Sequence, residues 1–204
     1  AGVDSSVVAR AAAEACWEGA VAATADSASL PSGELAAARE LAAAVGIRHV
    51  VLGTDEFANA DYARNPSNRC YFCKTELYTR LLARQAELGF DVIVNGANLD
   101  DRGDHRPGML AAAEQQVRSP LIEAGFYKTD VRELARYWGL SVWDKPAAPC
   151  LSSRIAYGVE VTAERVRRID AAEQWLREFL CARELRVRLE AGEAARVELP
   201  LTLV

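Results

Sequence analysis

Three of the five cysteines stand where their chemistry can be shared. Cys70 and Cys73 form a C-x-x-C pair, a spacing that on a turn sets two soft thiolate ligands on one metal ion. Cys150 follows Pro149 in a loop expected after a parallel strand, where the sites of open α/β sheets lie. Three thiolates are enough to hold an iron–sulfur cubane and leave one iron open. From these residues alone, two other readings stay open: a zinc site completed by a fourth ligand, and two unrelated structural cysteines. His105 is the histidine candidate, since His49 falls inside an expected strand. Cys16 and Cys181 lie on helical stretches beside Trp17 and Leu180 and read as packing.

A second set of residues opens the chain. Ala1-Gly2-Val3-Asp4-Ser5-Ser6 leads straight into a helical pattern. A turn of small residues lets backbone N–H groups approach phosphate oxygens, the helix N-terminus favours the anion, and two hydroxyls add donors. An ordinary helix cap on Asp4 or Ser5 is the alternative. Further on, Asp100, Asp101 and Asp104 offer hard oxygen ligands for Mg²⁺ or a solvated acidic loop. Arg186 and Arg188, two apart on a strand, project to one face and can bind a phosphate as a pair or simply border a sheet.

These residues need elements to carry them. Small apolar residues at Val7, Val8, Ala11, Ala12 and Ala15 predict a helix beginning just after Asp4. Ala20–Ala25 and Ile47–Leu52 predict buried strands, and the amphipathic run Leu35–Val45 a helix between them. Phe57–Arg69 reads as a loop, and Lys74–Leu88 as a helix capped by Gly89. Asp91–Val94 predicts a short strand leading into Asn95-Gly96, and Asp130–Trp138 a helix stopped by Gly139. Connections of crossover length make the economical architecture an α/β domain, a parallel sheet with helices on both faces. After Pro146 and Pro149 the pattern changes. Thr162–Phe179 predicts a long helix capped by Thr162, followed by strands at Glu184–Leu189 and Ala195–Leu199. This divides the chain into a domain at residues 1–155 and a smaller α+β module at 156–204.

The chain has 204 residues, half of them hydrophobic and 26% charged, which is enough to bury a self-sufficient core and excludes dominant disorder. No run approaches the roughly 18 apolar residues of a spanning helix, and no secretory leader opens the chain, so no membrane partner and a cytoplasmic place are expected. The 24 basic and 29 acidic residues leave a net charge of −5, which argues against binding nucleic acid through counterion release. A compact phosphorylated ligand remains allowed. An odd cysteine count in such a chain fits reduced thiols, metal ligands or catalysis. The chain begins inside a motif and ends on the apolar run Leu199–Val204, so both ends are expected to be incomplete.

Gly2, Asp4, Ser5 and Ser6 match the loop of the PP-loop ATP pyrophosphatase superfamily, Ser-Gly-Gly-x-Asp-Ser-Ser/Thr. Ala1 stands where a glycine is usual, and the leading serine is absent. Downstream come Thr24-Ala25-Asp26-Ser27, Asn68 to Lys74, Asn95-Gly96-Ala97-Asn98, Asp100-Asp101, Asp104 to Gly108, Ser119-Pro120-Leu121, Lys128 to Arg132, Pro149 to Arg154 and Arg186-Val187-Arg188. In this order, over essentially the whole chain, they resemble the LarE family of ATP-dependent sulfur transferases.

The resemblance implies a PP-loop fold of the adenine nucleotide alpha hydrolase kind. It also implies a reaction in which ATP adenylylates a carboxylate of a pyridinium mononucleotide and sulfur then gives a thiocarboxylate, in nickel-pincer nucleotide biosynthesis. ATP would be bound by Gly2, Asp4, Ser5, Ser6, Ala25, Gly96, Asn98 and Ser153, with Mg²⁺ on Asp4 and Asp101 and Lys128 neutralising pyrophosphate. Arg154 would grip the substrate phosphate or the acyl-adenylate, and Arg186 and Arg188 the mononucleotide phosphate. Cys70, Cys73 and Cys150 match the version that holds a [4Fe–4S] cluster fed by sulfide or another sulfur donor, in contrast to the version whose single cysteine gives up its own sulfur. A homo-oligomer is implied as well. A [4Fe–4S] tRNA thiolase of the same superfamily and a non-catalytic nucleotide- or iron–sulfur-binding module are the rival readings.

Overall fold

The computed structural model of the chain describes residues 1–102 and 107–201. Asp104, His105 and Arg106, singled out above, lie outside the described residues, as does the end of the run Leu199–Val204. In chain order the elements are α1 (Val3–Cys16), β1 (Val21–Asp26), α2 (Glu34–Val45), β2 (Arg48–Gly53), α3 (Ala60–Ala63), α4 (Arg69–Ala83) and α5 (Gln85–Leu88). They continue with α6 (Pro107–Glu114), α7 (Pro120–Glu123), α8 (Lys128–Tyr137), α9 (Ala163–Leu180), β3 (Arg186–Leu189) and β4 (Ala195–Glu198).

The fold is α/β. β1 and β2 pair in parallel from Val21 against Arg48 to Asp26 against Gly53, the crossover being made by α2. The strand expected at Asp91–Val94 is reduced to one parallel bridge between Val94 and Arg118. Its pairing stops because the Asn95 side chain accepts from the Ala97 N–H at 3.0 Å and turns the chain away. One apolar cluster gathers Val3, Val7, Leu41, Val45, Val131 and Ala135 from α1, α2 and α8; another packs α4 and α6 through Tyr78, Leu81 and Ala112 on Leu52 and Ile93.

Two helices start earlier than their apolar periodicity indicates. α1 begins at Val3 with Gly2 as its cap, which puts Asp4 in the first turn, where a negative charge is favoured. α4 begins at Arg69, so the C-x-x-C pair lies within a helix and not on a preceding turn. The expected loop before it contains a short 3₁₀ turn at Glu56–Ala58 and α3, capped by Asn59, whose side chain accepts from the Asp61 N–H at 2.8 Å. Thr162 caps α9 as expected, accepting from the Arg165 N–H at 3.2 Å.

β3 and β4 form an antiparallel pair, with Val187 opposite Val197. Their core is shared: Val187 and Leu189 pack with Val166 and Ile169 of α9 and with Tyr62, Leu151 and Ile155. The segment after Ala156 is thereby fastened to the part of the chain that carries Cys70, Cys73 and Cys150.

Candidate active site

The first turn of α1 is the natural anchor for an anion, because its leading N–H groups have no partner within the helix. Ser5 Oγ and Ser6 Oγ both donate to the Gly2 carbonyl, at 3.1 and 2.7 Å, and Ser6 is fully buried. The two hydroxyls are thus engaged within the turn, and α1 presents backbone N–H groups and the Asp4 carboxylate. Asn98 Nδ2 donates to Asp4 Oδ1 at 3.0 Å, and the Lys128 ammonium pairs with Asp4 Oδ2. Three of the residues named from sequence are therefore joined, Asn98 and Lys128 each meeting Asp4 although they come from three parts of the chain.

Gly96 explains how the loop comes so close. A Cβ built there would stand 2.6 Å from Ser5 N and 2.9 Å from Asp4 C, both backbone atoms, so only glycine fits. The loop is braced on both sides. Asn95 Oδ1 accepts from Ser119 Oγ at 2.9 Å, the Asn98 N–H donates to Asp101 Oδ2 at 2.9 Å, and the Lys128 N–H donates to Asp100 Oδ2 at 2.8 Å. Asp101 therefore supports Asn98, one residue removed from Asp4. Ala25 lies near the C-terminal end of β1, opposite Leu52.

The cysteines form a second centre. Cys70 and Cys73 stand three apart on α4 and so share a helix face. Cys70 is exposed; Cys73 and Cys150 are half-buried. Burial above all, then the charge of Glu56 and the thiols of Cys150 and Cys70, pushes Cys73 up to about 12 against the pull of Lys74. The same Cys150 and Cys73 also act on Tyr62, whose hydroxyl is raised well above its usual range, chiefly by burial. All three sulfurs thus share one electrostatic neighbourhood. Gly108 on α6 packs against this face, its would-be Cβ 3.1 Å from Lys74 Cγ and 3.6 Å from the Cys70 carbonyl. The thiol donor set suits an iron–sulfur cluster in chemistry. Among the described residues, however, no three His, Cys, Asp or Glu side chains are gathered closely enough to hold a metal ion as they stand.

Arg154 occupies a different place from the one its sequence position suggests. It is 3% exposed and donates through Nε to Glu173 Oε1 at 2.9 Å and through Nη1 to the Pro149 carbonyl at 2.8 Å. Its charge is committed to Glu173, and its effect is to shape the Cys150 loop. Ser153 Oγ donates to the Cys150 carbonyl at 2.7 Å and serves the same loop. Arg186 and Arg188 alternate with buried Val187 and Leu189. Arg186 borders a cleft of about 490 Å³ together with Lys145, Arg177 and Arg183. Arg188 is engaged by Glu198 at 2.7 Å and by the Ser153 carbonyl at 3.1 Å.

Several residues of this region have no signal in the sequence. Glu56 is buried, with Oε1 accepting from Ser27 and Ser29 at 2.7 Å each and Oε2 without a hydrogen-bond partner among the described residues. Tyr62, Asn65 and Glu173 are buried polar residues that only tertiary contacts reveal.

No protein-family model matches the chain. It is 47% identical over 199 residues to the uncharacterized protein slr1717 of Synechocystis sp., covering 98% of this chain and 74% of that protein. It is 38% identical over 148 residues to the pyridinium-3,5-bisthiocarboxylic acid mononucleotide synthase of Lactiplantibacillus plantarum, covering 72% of this chain and 53% of the synthase. A weaker match, 31% over 137 residues, is to the tRNA-specific 2-thiouridylase MnmA of a Wolbachia, of which it covers 37%. The chain thus spans about three quarters of the first relative and about half of the second. These similarities show that the chain belongs to one family with the Synechocystis protein, and with the α/β fold they support a place among the PP-loop sulfurtransferases.

Proposed function

We propose that this chain carries an ATP-dependent sulfurtransferase activity that converts a carboxylate of a pyridinium mononucleotide into a thiocarboxylate, within nickel-pincer nucleotide biosynthesis. The observation that carries this reading is the meeting of Asp4, Asn98 and Lys128 at the start of α1 under the close-packed Gly96. The name of the Lactiplantibacillus relative supplies the substrate class.

In this reading the triphosphate lies against the first turn of α1, with Gly2, Asp4, Ser5, Ser6, Ala25, Gly96 and Asn98 around it. Asp4 and Asp101 would hold Mg²⁺, which supplies neutralisation of the phosphate charge. Lys128, now paired with Asp4, exchanges that carboxylate for the phosphate oxygens and stabilises the departing pyrophosphate. The attacking substrate carboxylate carries no proton, so the step needs charge neutralisation and no general base. Its oxygen bonds to the α-phosphorus as the bond to pyrophosphate breaks. A sulfur nucleophile then bonds to the acyl carbon, and AMP leaves with the oxygen. Cys70, Cys73 and Cys150 would hold a [4Fe–4S] cluster, and the chemistry it supplies when bound is delivery of inorganic sulfur from sulfide or a donor. Arg186 faces the cleft that suits the mononucleotide phosphate, while Arg154, Ser153 and Arg188 shape the Cys150 loop beside it.

The activity is tested by incubating the protein with ATP, Mg²⁺ and a carboxylated pyridinium mononucleotide and following pyrophosphate and AMP. Release that depends on the mononucleotide supports the reading. The similarity to a tRNA thiouridylase favours a second acceptor, tRNA, which the net charge of −5 disfavours. Release that depends on tRNA and not on the mononucleotide would select that alternative.

A further inference from the structure

The helix that carries Cys70 and Cys73 and the loop that carries Cys150 are joined by a buried polar network. Arg69, the residue before Cys70, is 4% exposed. Its Nη1 donates to the Ser152 carbonyl at 2.8 Å and to Asn65 Oδ1 at 2.5 Å. Among the described residues it has no carboxylate partner, so its charge is balanced by a carbonyl, an amide oxygen and the face of Tyr62 at 5.9 Å. Asn65 is fully buried with φ 55°, and its Nδ2 donates to the carbonyls of Ile155, Ala156 and Val159 at 2.8–3.2 Å. The Tyr62 hydroxyl meets Ser152 Oγ at 2.7 Å. Apart from the bond between Arg69 and Asn65, each hydrogen bond of this network ends on residues 152–159, just after Cys150.

A buried guanidinium without an ionised partner is expensive. A fold that only needed to pack these segments could use apolar side chains of similar volume. What the network does supply is geometry: Nη1 of the rigid, planar guanidinium fixes the carbonyl of Ser152, and with it the Cys150 loop, relative to the first turn of α4.

We propose that Arg69, held by Asn65, is a positioning residue that keeps the Cys150 loop against the first turn of α4, so that a soft metal can draw Cys150 to Cys70 and Cys73. This rests on the reading of the three cysteines given above. It concerns the protein's own residues and is measurable without any substrate.

The probe is Cd²⁺ alone, titrated into reduced protein carrying Cys16→Ser and Cys181→Ser and followed by thiolate-to-cadmium charge-transfer absorption. The unsubstituted site is expected to show three thiolates per cadmium and Cys150→Ser two. Arg69→Met should fall to the two-thiolate band, with affinity weakened on the order of tenfold, as for lost supports of metal ligands. Adding Cys150→Ser to Arg69→Met should then change nothing further, and Arg69→Lys, which keeps a donor for the Ser152 carbonyl, should recover the third thiolate. If Arg69→Met does not fold, Asn65→Gly, which suits the φ of 55°, removes the oxygen that holds Arg69, and its band should lie between the two. A folded Arg69→Met with the full three-thiolate band and unchanged affinity overturns the proposal, as does an unchanged band in the Asn65→Gly protein. A band that Cys150→Ser does not alter overturns it too. Cadmium behaviour as expected in a protein that transfers no sulfur contradicts the proposed function and leaves the positioning role intact.

Discussion

Arg154 and Glu173 form an ion pair at 2.9 Å with side chains 4% and 0% exposed. Glu173 also receives the Val187 N–H at 3.1 Å and Arg177 at 2.6 Å. One carboxylate on α9 thereby ties the Cys150 loop to β3. Breaking a buried pair by removing one partner costs about 3–5 kcal/mol, because the other charge is left uncompensated. Glu173→Leu should lower the urea-unfolding free energy by about that amount. A loss below about 1 kcal/mol would mean that Arg154 finds solvent or another partner.

Gly96→Ala tests the loop over α1. The added methyl meets the Ser5 and Asp4 backbone, which cannot move without disturbing the helix start. ATP affinity should fall strongly, on the order of a hundredfold for a displaced binding loop, and the melting temperature should fall with it. Gly53→Ala, where a Cβ meets nothing within 4 Å, is the control and should bind ATP normally. Equal affinities for the two variants would move the nucleotide away from this loop.

Asp4→Ala and Lys128→Ala each remove one member of the pair at the start of α1. Loss of an electrostatic stabiliser costs on the order of 10²–10³ in rate. Both should lose pyrophosphate release to that degree and keep their far-ultraviolet dichroism. Unchanged release by either would take the triphosphate out of this site.

The thiols differ in readiness. Burial holds Cys73 protonated up to about 12, so at pH 8 almost none of it is the nucleophilic thiolate, whereas Cys70 is exposed. Iodoacetamide followed by peptide mapping should label Cys70 well before Cys73, and Cys73 labelling should keep rising as the pH is taken above 10. Equal early labelling would place Cys73 in solvent.

Arg186 and Arg188 part company in the structure. Arg186→Ala should weaken mononucleotide binding by about 1.5–3 kcal/mol, the scale of a charged hydrogen bond, with ATP affinity unchanged by calorimetry. Arg188→Ala removes bonds to Glu198 and to the Ser153 carbonyl and should lower stability as well. Equal losses of ATP and mononucleotide for Arg186→Ala would assign it to the fold.

The parts of this molecule that obey a local rule were legible in its sequence. Thr162 as a cap, Gly89 as a helix stop and the apolar faces of α1, α2 and α9 follow from period and capping chemistry. The start of α4 was not, because Cys70-Tyr71-Phe72-Cys73 shows no apolar stripe and is held instead by Gly108 and the Arg69 network. The Asp91–Val94 strand shrank to a bridge for a local reason, the Asn95 turn. Arg154 looked like a substrate ligand from its neighbours in sequence. Its partner Glu173 reads as one more charge on an amphipathic helix, and only the tertiary fold shows it buried. Asn65 and Tyr62 were silent for the same cause.

The most direct measurement of the central claim is mass spectrometry of the mononucleotide. The protein, reconstituted anaerobically with iron and sulfide, is incubated with ATP, Mg²⁺, sulfide and a pyridinium mononucleotide bearing a ring carboxylate. The account predicts exchange of one oxygen for sulfur per AMP formed, abolished by Cys70→Ser, Cys73→Ser or Cys150→Ser, with adenylylation retained in all three. Sulfur transfer that depends on Cys150 alone, or AMP formed with no sulfur in the product, would contradict it.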